Sequence, residues 1–336
     1  MNGGRKRSLF GKLFTLIFGV LLPITALGVV ALGVYLSQVA SVVDPVGVSP
    51  TMDSSQVKAY MDAHTELTPE DITVGLSPED IQWDSIPAGA TDIADDNTHI
   101  LIIGTDREMD GISRSDVIML CSLNTDNRTM RMTSFLRDLY VPIPGFPDNP
   151  INAAYAFGGS DLLRECIHSN FGIRSDYVIE IGFEGFREII DCLGGVELPL
   201  SEQEAEYLGL GEAGLYLLDG SQALSYVRLR NVGNADKDRT LRQQAVLGAI
   251  GPKIAKSSFP TMYKCLNKIL PYVKTDLSIS KILKLLPDVL VAANSQNCKG
   301  LQVPADGTYQ DAWVAGMQVL IPDLEANRAV LKENIV

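Results

Sequence analysis

The stretch from His99 to Asp138 constrains this chain most tightly, because three short apolar runs there are each bounded by charge. Ile100-Leu101-Ile102-Ile103 stops at Gly104-Thr105-Asp106-Arg107. Arg114-Ser115-Asp116 leads directly into Val117-Ile118-Met119-Leu120, and the run Met130 to Phe135 ends in Leu136-Arg137-Asp138. Apolar runs of about four to eight residues punctuated by Gly and Asp predict buried strands. Three neighbouring strands then carry Asp106, Arg114, Asp116, Arg137 and Asp138 at or near their ends. Buried strands rarely end in so many charges unless those charges meet a ligand or one another. Two carboxylates suit a hard cation, and arginine forks suit phosphate oxygens. Mutual ion pairing at the strand ends is the alternative reading.

Downstream the pattern alternates. Pro150 to Gly159 leads to Ser160, which is placed to cap a helix with Leu162, Leu163, Cys166 and Ile167 on one face and Gly172 as its stop. Tyr177 to Phe183 predicts a strand, Phe186, Ile189, Ile190 and Leu193 a helix ended by Gly194-Gly195, and Val196 to Leu200 another strand. Strands alternating with short helices predict an α/β fold, a mixed β-sheet flanked by helices on both faces in three αβα layers. After Ser257, Tyr263 to Tyr272 and Ile279 to Ala293 have amphipathic spacing, and Pro304 to Tyr309 predicts a turn. Residues 257–336 are therefore expected to be a helical extension packed on a core of residues 98–256.

No charged residue occurs between Lys12 and Asp44, and Leu13 to Leu36 is almost wholly apolar. Such a length spans a bilayer with some tilt. Arg5, Lys6, Arg7 and Lys12 precede it with no acid among them, which orients residues 1–12 to the cytoplasm and everything after the span outside. A cleaved signal peptide has a shorter apolar region and a small-residue cleavage site, so residues 13–36 are read as an uncleaved anchor. Residues 37–97, rich in Ser, Asp, Pro and Thr, are read as an extracellular stalk with small structured pieces: a short helix near Gln56 to His64, and helix starts at Thr68-Pro69 and Ser77-Pro78. The net charge is −13, and beyond residue 12 the chain holds 24 Lys and Arg against 41 Asp and Glu. A nucleic-acid partner is excluded on that balance. Five cysteines, at 121, 166, 192, 265 and 298, show no zinc spacing. In an exported domain Cys166 with Cys192 and Cys265 with Cys298 are possible bridges, and small buried thiols are the alternative.

A second cationic stretch runs from Leu224 to Gln244. Tyr226-Val227-Arg228-Leu229-Arg230 alternates as on a strand, and Asp238-Arg239-Thr240-Leu241-Arg242-Gln243-Gln244 opens a helix running to about Lys256. Arg239, Arg242 and Gln243 share one side of its first turns. Arginines at a helix start oppose the macrodipole unless an anion satisfies both them and the free N–H groups. Pairing with Asp236 or Asp238 is the alternative. Gly209-Leu210-Gly211-Glu212-Ala213-Gly214 matches a dinucleotide fingerprint in letters only, since an acidic helix former, not a strand, precedes it.

There is no Gly-x-Ser-x-Gly elbow and no P-loop, and His64, His99 and His168 give a Ser-His-Asp triad no natural host. Carboxylates and arginines remain. A divalent cation between Asp106 and Asp116 would bridge a pyrophosphate, and phosphoryl transfer needs mainly such positioning and charge neutralisation.

These residues resemble the LytR-CpsA-Psr family of membrane-anchored cell-wall enzymes. The likeness rests on Gly104-Thr105-Asp106-Arg107, Arg114-Ser115-Asp116, Arg137-Asp138, Ile151 to Tyr155 with Gly158-Gly159, Gly185-Phe186 through Val196, Tyr226 to Arg230 and Arg239 to Gln244. It implies transfer of a glycopolymer from a polyprenyl-pyrophosphate carrier to a peptidoglycan sugar hydroxyl, with Mg²⁺. By that resemblance Asp106 and Asp116 would hold the metal. Arg107, Arg114, Arg137, Arg228, Arg230, Arg239, Arg242 and Gln243 would bind the pyrophosphate, with Arg137, Asp138, Arg228 and Arg239 acting at the reacting phosphorus. An apolar channel between sheet and helices would take the lipid. Leu136 stands where the family pattern has proline, Pro150 where it has a basic residue, and Asp236-Lys237-Asp238 where it has Asp-Phe-Gly. A pyrophosphate hydrolase and a non-catalytic binder of lipid-linked precursors are the alternatives. A transcription regulator fails on space, because residues 1–12 are too few for a DNA-binding domain.

Overall fold

The computed structural model describes residues 51–64, 76–83, 92–93, 95–106, 114–229, 232, 235–257, 259–293 and 298–335. The expected tail and anchor, residues 1–36, and the helix start at Thr68 lie outside them. Among the described residues no helix is long and apolar enough to cross a membrane.

Helix α1 (Ser54–His64) precedes three strands, β1 (Thr98–Asp106), β2 (Arg114–Asn124) and β3 (Thr129–Phe135). A hairpin of β4 (Tyr140–Ile143) and β5 (Phe146–Pro150) leads into α2 (Asn152–Phe171). Then come β6 (Tyr177–Gly182), α3 (Phe183–Cys192), β7 (Val196–Leu200), α4 (Glu202–Tyr207), β8 (Gly214–Leu218) and α5 (Gly220–Arg228). The last third holds α6 (Ala235–Lys256), α7 (Phe259–Ile269), β9 (Val273–Thr275), α8 (Ile279–Ala293), β10 (Cys298–Val303), β11 (Tyr309–Val314), β12 (Met317–Pro322) and α9 (Leu324–Ile335).

Six strands form the central sheet in the order β10-β3-β2-β1-β6-β9. Strands β1 and β6 are parallel, as are β3 and β10; β2 runs antiparallel to β1 and β3, and β9 antiparallel to β6. Side chains alternate across a strand, so each run feeds two cores. Leu101, Ile103, Ile118, Leu120, Phe135 and Val178 pack with Phe157, Leu163 and Phe171 of α2. Ile100, Cys121, Leu123 and Met130 face the other way, onto Leu285 and Ala292 of α8. The expected mixed sheet with helices on both faces is the observed one.

Several expectations change in detail. The helix expected from Ser160 starts at Asn152 and carries a break at Gly158-Gly159. The Ser160 hydroxyl is buried and has no hydrogen-bond partner among the described residues. Strand β7 leaves the central sheet to pair with β8. The C-terminal segment is more than a helical extension: it supplies both edge strands of the sheet, β9 and β10, and the β11–β12 hairpin. The described parts of 51–97 are docked rather than stalk-like. Val57 and Tyr60 of α1 are buried in the main core, and the Tyr60 ring lies 5.3 Å from Phe157. Two such side chains contribute about 1.5–3 kcal/mol each by burial alone. The Trp83 indole donates to Asp148 at 2.7 Å, and the Ile93 amide to the Gly172 carbonyl at 2.9 Å. The disulfide joins Cys192 to Cys265, neither of the two possible pairings. Cys166 is buried instead, and burial pushes its thiol up to about 12 although a hydrogen bond from Asn170 opposes the shift.

Candidate functional site

Strands β1, β3, β6 and β10 run in one direction, so their carboxyl ends share an edge with the first residues of β2 and β9. Ligands of open α/β sheets bind in the crevice beyond such an edge. The backbone places Asp106 opposite Arg114 there. Thr105 pairs with Ser115 and Gly104 with Val117, which leaves Asp116 as the extra residue of a β-bulge. Bulges re-aim a side chain at the end of a ladder. Only glycine fits at 104, because an added Cβ would stand 2.8 Å from the Val117 Cβ. The sequence motif Gly-Thr-Asp thus encodes a close approach that turns Asp116 toward the edge.

Past the end of β3, the Arg137 guanidinium lies between two acids. Its Nη1 donates to Asp116 Oδ1 at 3.3 Å, and its Nε reaches Asp138 Oδ1 at 3.2 Å. All three side chains are partly exposed, at 17% for Arg137, 23% for Asp116 and 26% for Asp138. The segment is pinned from behind: the Leu136 amide donates to the Val303 carbonyl at 2.8 Å, and the Leu320 amide to the Asp138 carbonyl at 3.0 Å. Leucine at 136 supplies an N–H that a proline lacks.

Arg228 is not on a strand. It is the last residue of helix α5, whose start Asp219 caps by accepting from the Gln222 amide while Gln222 accepts from Asp219 in return. Ala223, Tyr226 and Val227 are buried at helical spacing. The Arg228 guanidinium stacks 4.6 Å from the centre of the Phe183 ring, at the end of β6. Phe183 was missed from sequence, where it reads as the last residue of a strand. Arg239 and Gln243 lie on α6 as expected, but that helix starts at Ala235 rather than Asp238, which puts them in its second and third turns. Arg242 is turned inward. It is 4% exposed, its Nε donates to Glu204 Oε1 at 2.7 Å, and its other nitrogens donate to the carbonyls of Leu229 and Val232 at 3.0 Å each. Three of its five N–H groups are thereby used inside the protein. Arg107 and Arg230 lie outside the described residues.

One arrangement runs against expectation. Ser122 Oγ, the His99 ring and Asp95 do form a hydrogen-bonded chain, at 2.9 Å and 3.0 Å. It sits at the amino end of β1, opposite the arginine edge, with Ser122 2% and His99 6% exposed, so no substrate reaches it.

Magnesium takes oxygen ligands, commonly one or two carboxylates with the rest from phosphate and water. Among the described residues no three His, Cys, Asp or Glu converge as a metal cluster. One described carboxylate at the edge, that of Asp116, offers oxygens of the kind this ion takes. Asp116 is a partly exposed carboxylate on a bulge, one ladder pair away from the backbone of Asp106.

A three-layer α/β domain with arginines and carboxylates on the carboxyl edge of its sheet defines the class. The LytR_cpsA_psr family model matches residues 58–334, and the chain belongs to that family. It is 33% identical over 224 residues to the regulatory protein MsrR of Staphylococcus aureus, covering 65% of this chain and 67% of that one. It is 33% identical over 214 residues to the polyisoprenyl-teichoic acid–peptidoglycan teichoic acid transferase TagU of Bacillus mycoides, covering 62% and 69%. Among solved structures, TagT bound to LIIa-WTA matches with a TM-score of 0.60 at 26% identity, over 77% of this chain and 97% of that chain. The B. subtilis TagT crystal structure matches at 0.59 and 25%, over 78% and 95%.

Proposed function

We propose that this chain is a phosphotransferase that moves a glycopolymer, of the wall teichoic acid class, from a polyprenyl-pyrophosphate carrier to a sugar hydroxyl of peptidoglycan. The observation that carries the reading is Arg137 held between Asp116 and Asp138 on the carboxyl edge of the sheet. The relationship to TagU, whose name describes such a transfer, supports the substrate class.

In this reading the pyrophosphate lies across the edge. Arg137 neutralises charge on the transferred phosphoryl group from one side, and Arg228 with Arg239 from the other, as a spread-out phosphoryl transition state requires. Asp116 and Asp106 would hold Mg²⁺, which would supply positive charge against the charge developing on the phosphoryl group. The acceptor hydroxyl attacks phosphorus, a phosphodiester forms and polyprenyl phosphate leaves. Asp138 engages Arg137 Nε, so it orients that arginine and stands within reach of a hydroxyl proton delivered there. Residues 13–36 would anchor the chain, with the catalytic domain outside the cell membrane where peptidoglycan lies.

The test uses the full chain in detergent micelles with a polyprenyl-pyrophosphate oligosaccharide, Mg²⁺ and peptidoglycan strands. Sugar joined to the glycan through a phosphodiester, reduced about 10²–10³-fold by Arg137→Ala, is the expected result. Pyrophosphate cleavage indifferent to the glycan would replace transferase with hydrolase. A donor left intact under all conditions would leave only a binder.

A further inference from the structure

Next along the same edge is a cleft that shares Arg228 with the pyrophosphate site and extends away from it. Its volume is about 460 Å³, in the range of small-ligand pockets, and its walls include Phe183, Glu184, Arg187, Leu224, Arg228 and Tyr272. Ile181 pairs with Val273, so Tyr272 stands at the mouth of β9 directly beside the end of β6. Strand β6 neighbours β1, and strands are spaced by about 4.8 Å. The cleft therefore begins roughly 5–10 Å from the Asp106 backbone, about the length of one or two sugar units.

Its walls are held from both sides. The Cys192–Cys265 disulfide and the Lys268–Glu188 ion pair at 2.5 Å fasten α3 to α7. The Gly220 amide donates to Asp191 at 2.7 Å, fastening α5 to α3. Glycine at 185 lets Tyr272 seat against α3, since a Cβ there would come within 2.9 Å of the Tyr272 Cβ. A cleft so fixed binds without a large ordering cost.

The lining is mixed in a way that selects its ligand. Tyr272 is 39% exposed and Leu224 half-buried, while Glu184 and Arg187 pair at 3.3 Å on the rim. An alkyl tail would leave the rim pair and the Arg228 guanidinium without a polar partner from the ligand, and a bare phosphate would leave the aromatic and aliphatic walls unused. A pyranose ring answers both, with C–H faces against the ring of Tyr272 and hydroxyls to carboxylate and guanidinium. We infer that this cleft is a saccharide subsite flanking the phosphoryl-transfer edge, an inference that rests on the transferase reading. The sugars come either from the acceptor strand or from the donor next to its pyrophosphate.

The experiment compares the full chain with Tyr272→Ala and Tyr272→Trp in detergent micelles. Binding of a β-1,4-linked N-acetylglucosamine tetrasaccharide and of inorganic pyrophosphate is titrated calorimetrically, and transfer kinetics are run beside them. Tyr272→Ala is expected to weaken the saccharide step about tenfold, Tyr272→Trp to retain it, and pyrophosphate affinity to stay unchanged in both. A raised KM for glycan with weakened tetrasaccharide binding identifies the acceptor strand. A raised KM for the lipid donor alone identifies the donor's sugars. Neither KM nor tetrasaccharide binding responding to Tyr272→Ala overturns the subsite, and so does a loss of pyrophosphate affinity in a variant that melts like the parent. Tetrasaccharide binding needs no turnover, so a chain that binds sugar yet transfers nothing counts against the transferase and not against the subsite.

Discussion

Replacing Arg242 with methionine separates an internal role from a ligand role. Methionine keeps the apolar stem and removes a charge and three donated hydrogen bonds, those to Glu204, Leu229 and Val232. Breaking a buried ion pair by deleting one partner costs about 3–5 kcal/mol, because the other charge stays behind. Glu204 is 13% exposed and regains some water, which argues for the lower end, but two carbonyls also lose their partner at about 1 kcal/mol each. The expected loss is thus about 3–5 kcal/mol, a large share of a domain's total stability. Urea unfolding followed by far-ultraviolet circular dichroism measures it as a lower midpoint at unchanged slope. The effect also has a pH signature. Burial pushes the Glu204 carboxyl up, but the hydrogen bond from Arg242, those from the Ser201 amide and hydroxyl, and the Arg242 charge outweigh it and hold the group below its usual range. A depressed folded pKa contributes stability above the unfolded value near 4.5 and loses it as pH falls through the folded value. The gap between parent and Arg242→Met should therefore narrow in acid. A variant that unfolds at the parental midpoint yet binds the pyrophosphate donor tenfold more weakly would refute the reasoning and move Arg242 into the ligand site.

Three further outcomes follow from the geometry. Gly104→Ala drives a methyl group against Val117, costing about 1–3 kcal/mol, and displaces the bulge that aims Asp116; transfer should fall about 10²-fold, and parental kcat would show that the bulge does not set the site. Leu136→Pro removes the N–H donated to Val303 and should lower unfolding stability by about 1 kcal/mol, read by urea titration. Reducing Cys192–Cys265, or replacing both residues with serine, releases a closed loop with a sequence separation of 73, worth about 4 kcal/mol on the chain-entropy model. Calorimetry should show melting lowered by roughly 5–10 °C, with an unchanged melting point counting against the staple.

The central strands β1, β2 and β3 were legible because each is a buried apolar run bounded by charge. The edge residues Asp106, Asp116, Arg137 and Asp138 were legible for the same reason. Strands β9 and β10 were not. Val273–Thr275 is short, and Cys298–Val303 interleaves Lys, Gly and Gln, so both are strands only because a neighbouring strand offers them a ladder. Tyr226-Val227 misled in the other direction: aromatic and β-branched residues favour strands, yet the capping box at Asp219-x-x-Gln222 was in the sequence and decides for a helix. The inward turn of Arg242 could not be read locally, because its partner Glu204 belongs to a separate helix whose own cap, Ser201, holds that carboxylate in place. Tyr272 carried no signal at all until the β6–β9 pairing set it beside Phe183.

Two of the hydrogen bonds that hold the Arg137–Asp138 segment from behind involve Val303 and Leu320. A ribosome makes the arginine long before it makes the residues that position it. The nascent chain can lay down β1 to β3 from local contacts, and the Asn152 and Ile151 amides soon reach the Arg137 and Leu139 carbonyls, but the bonds to Val303 and Leu320 wait until β10 and β12 have emerged. A chain stopped short of residue 303 would carry every edge residue named above and still lack the part of the framework that β10 and β12 supply. The last strands to be made thus complete the alignment of one of the first loops.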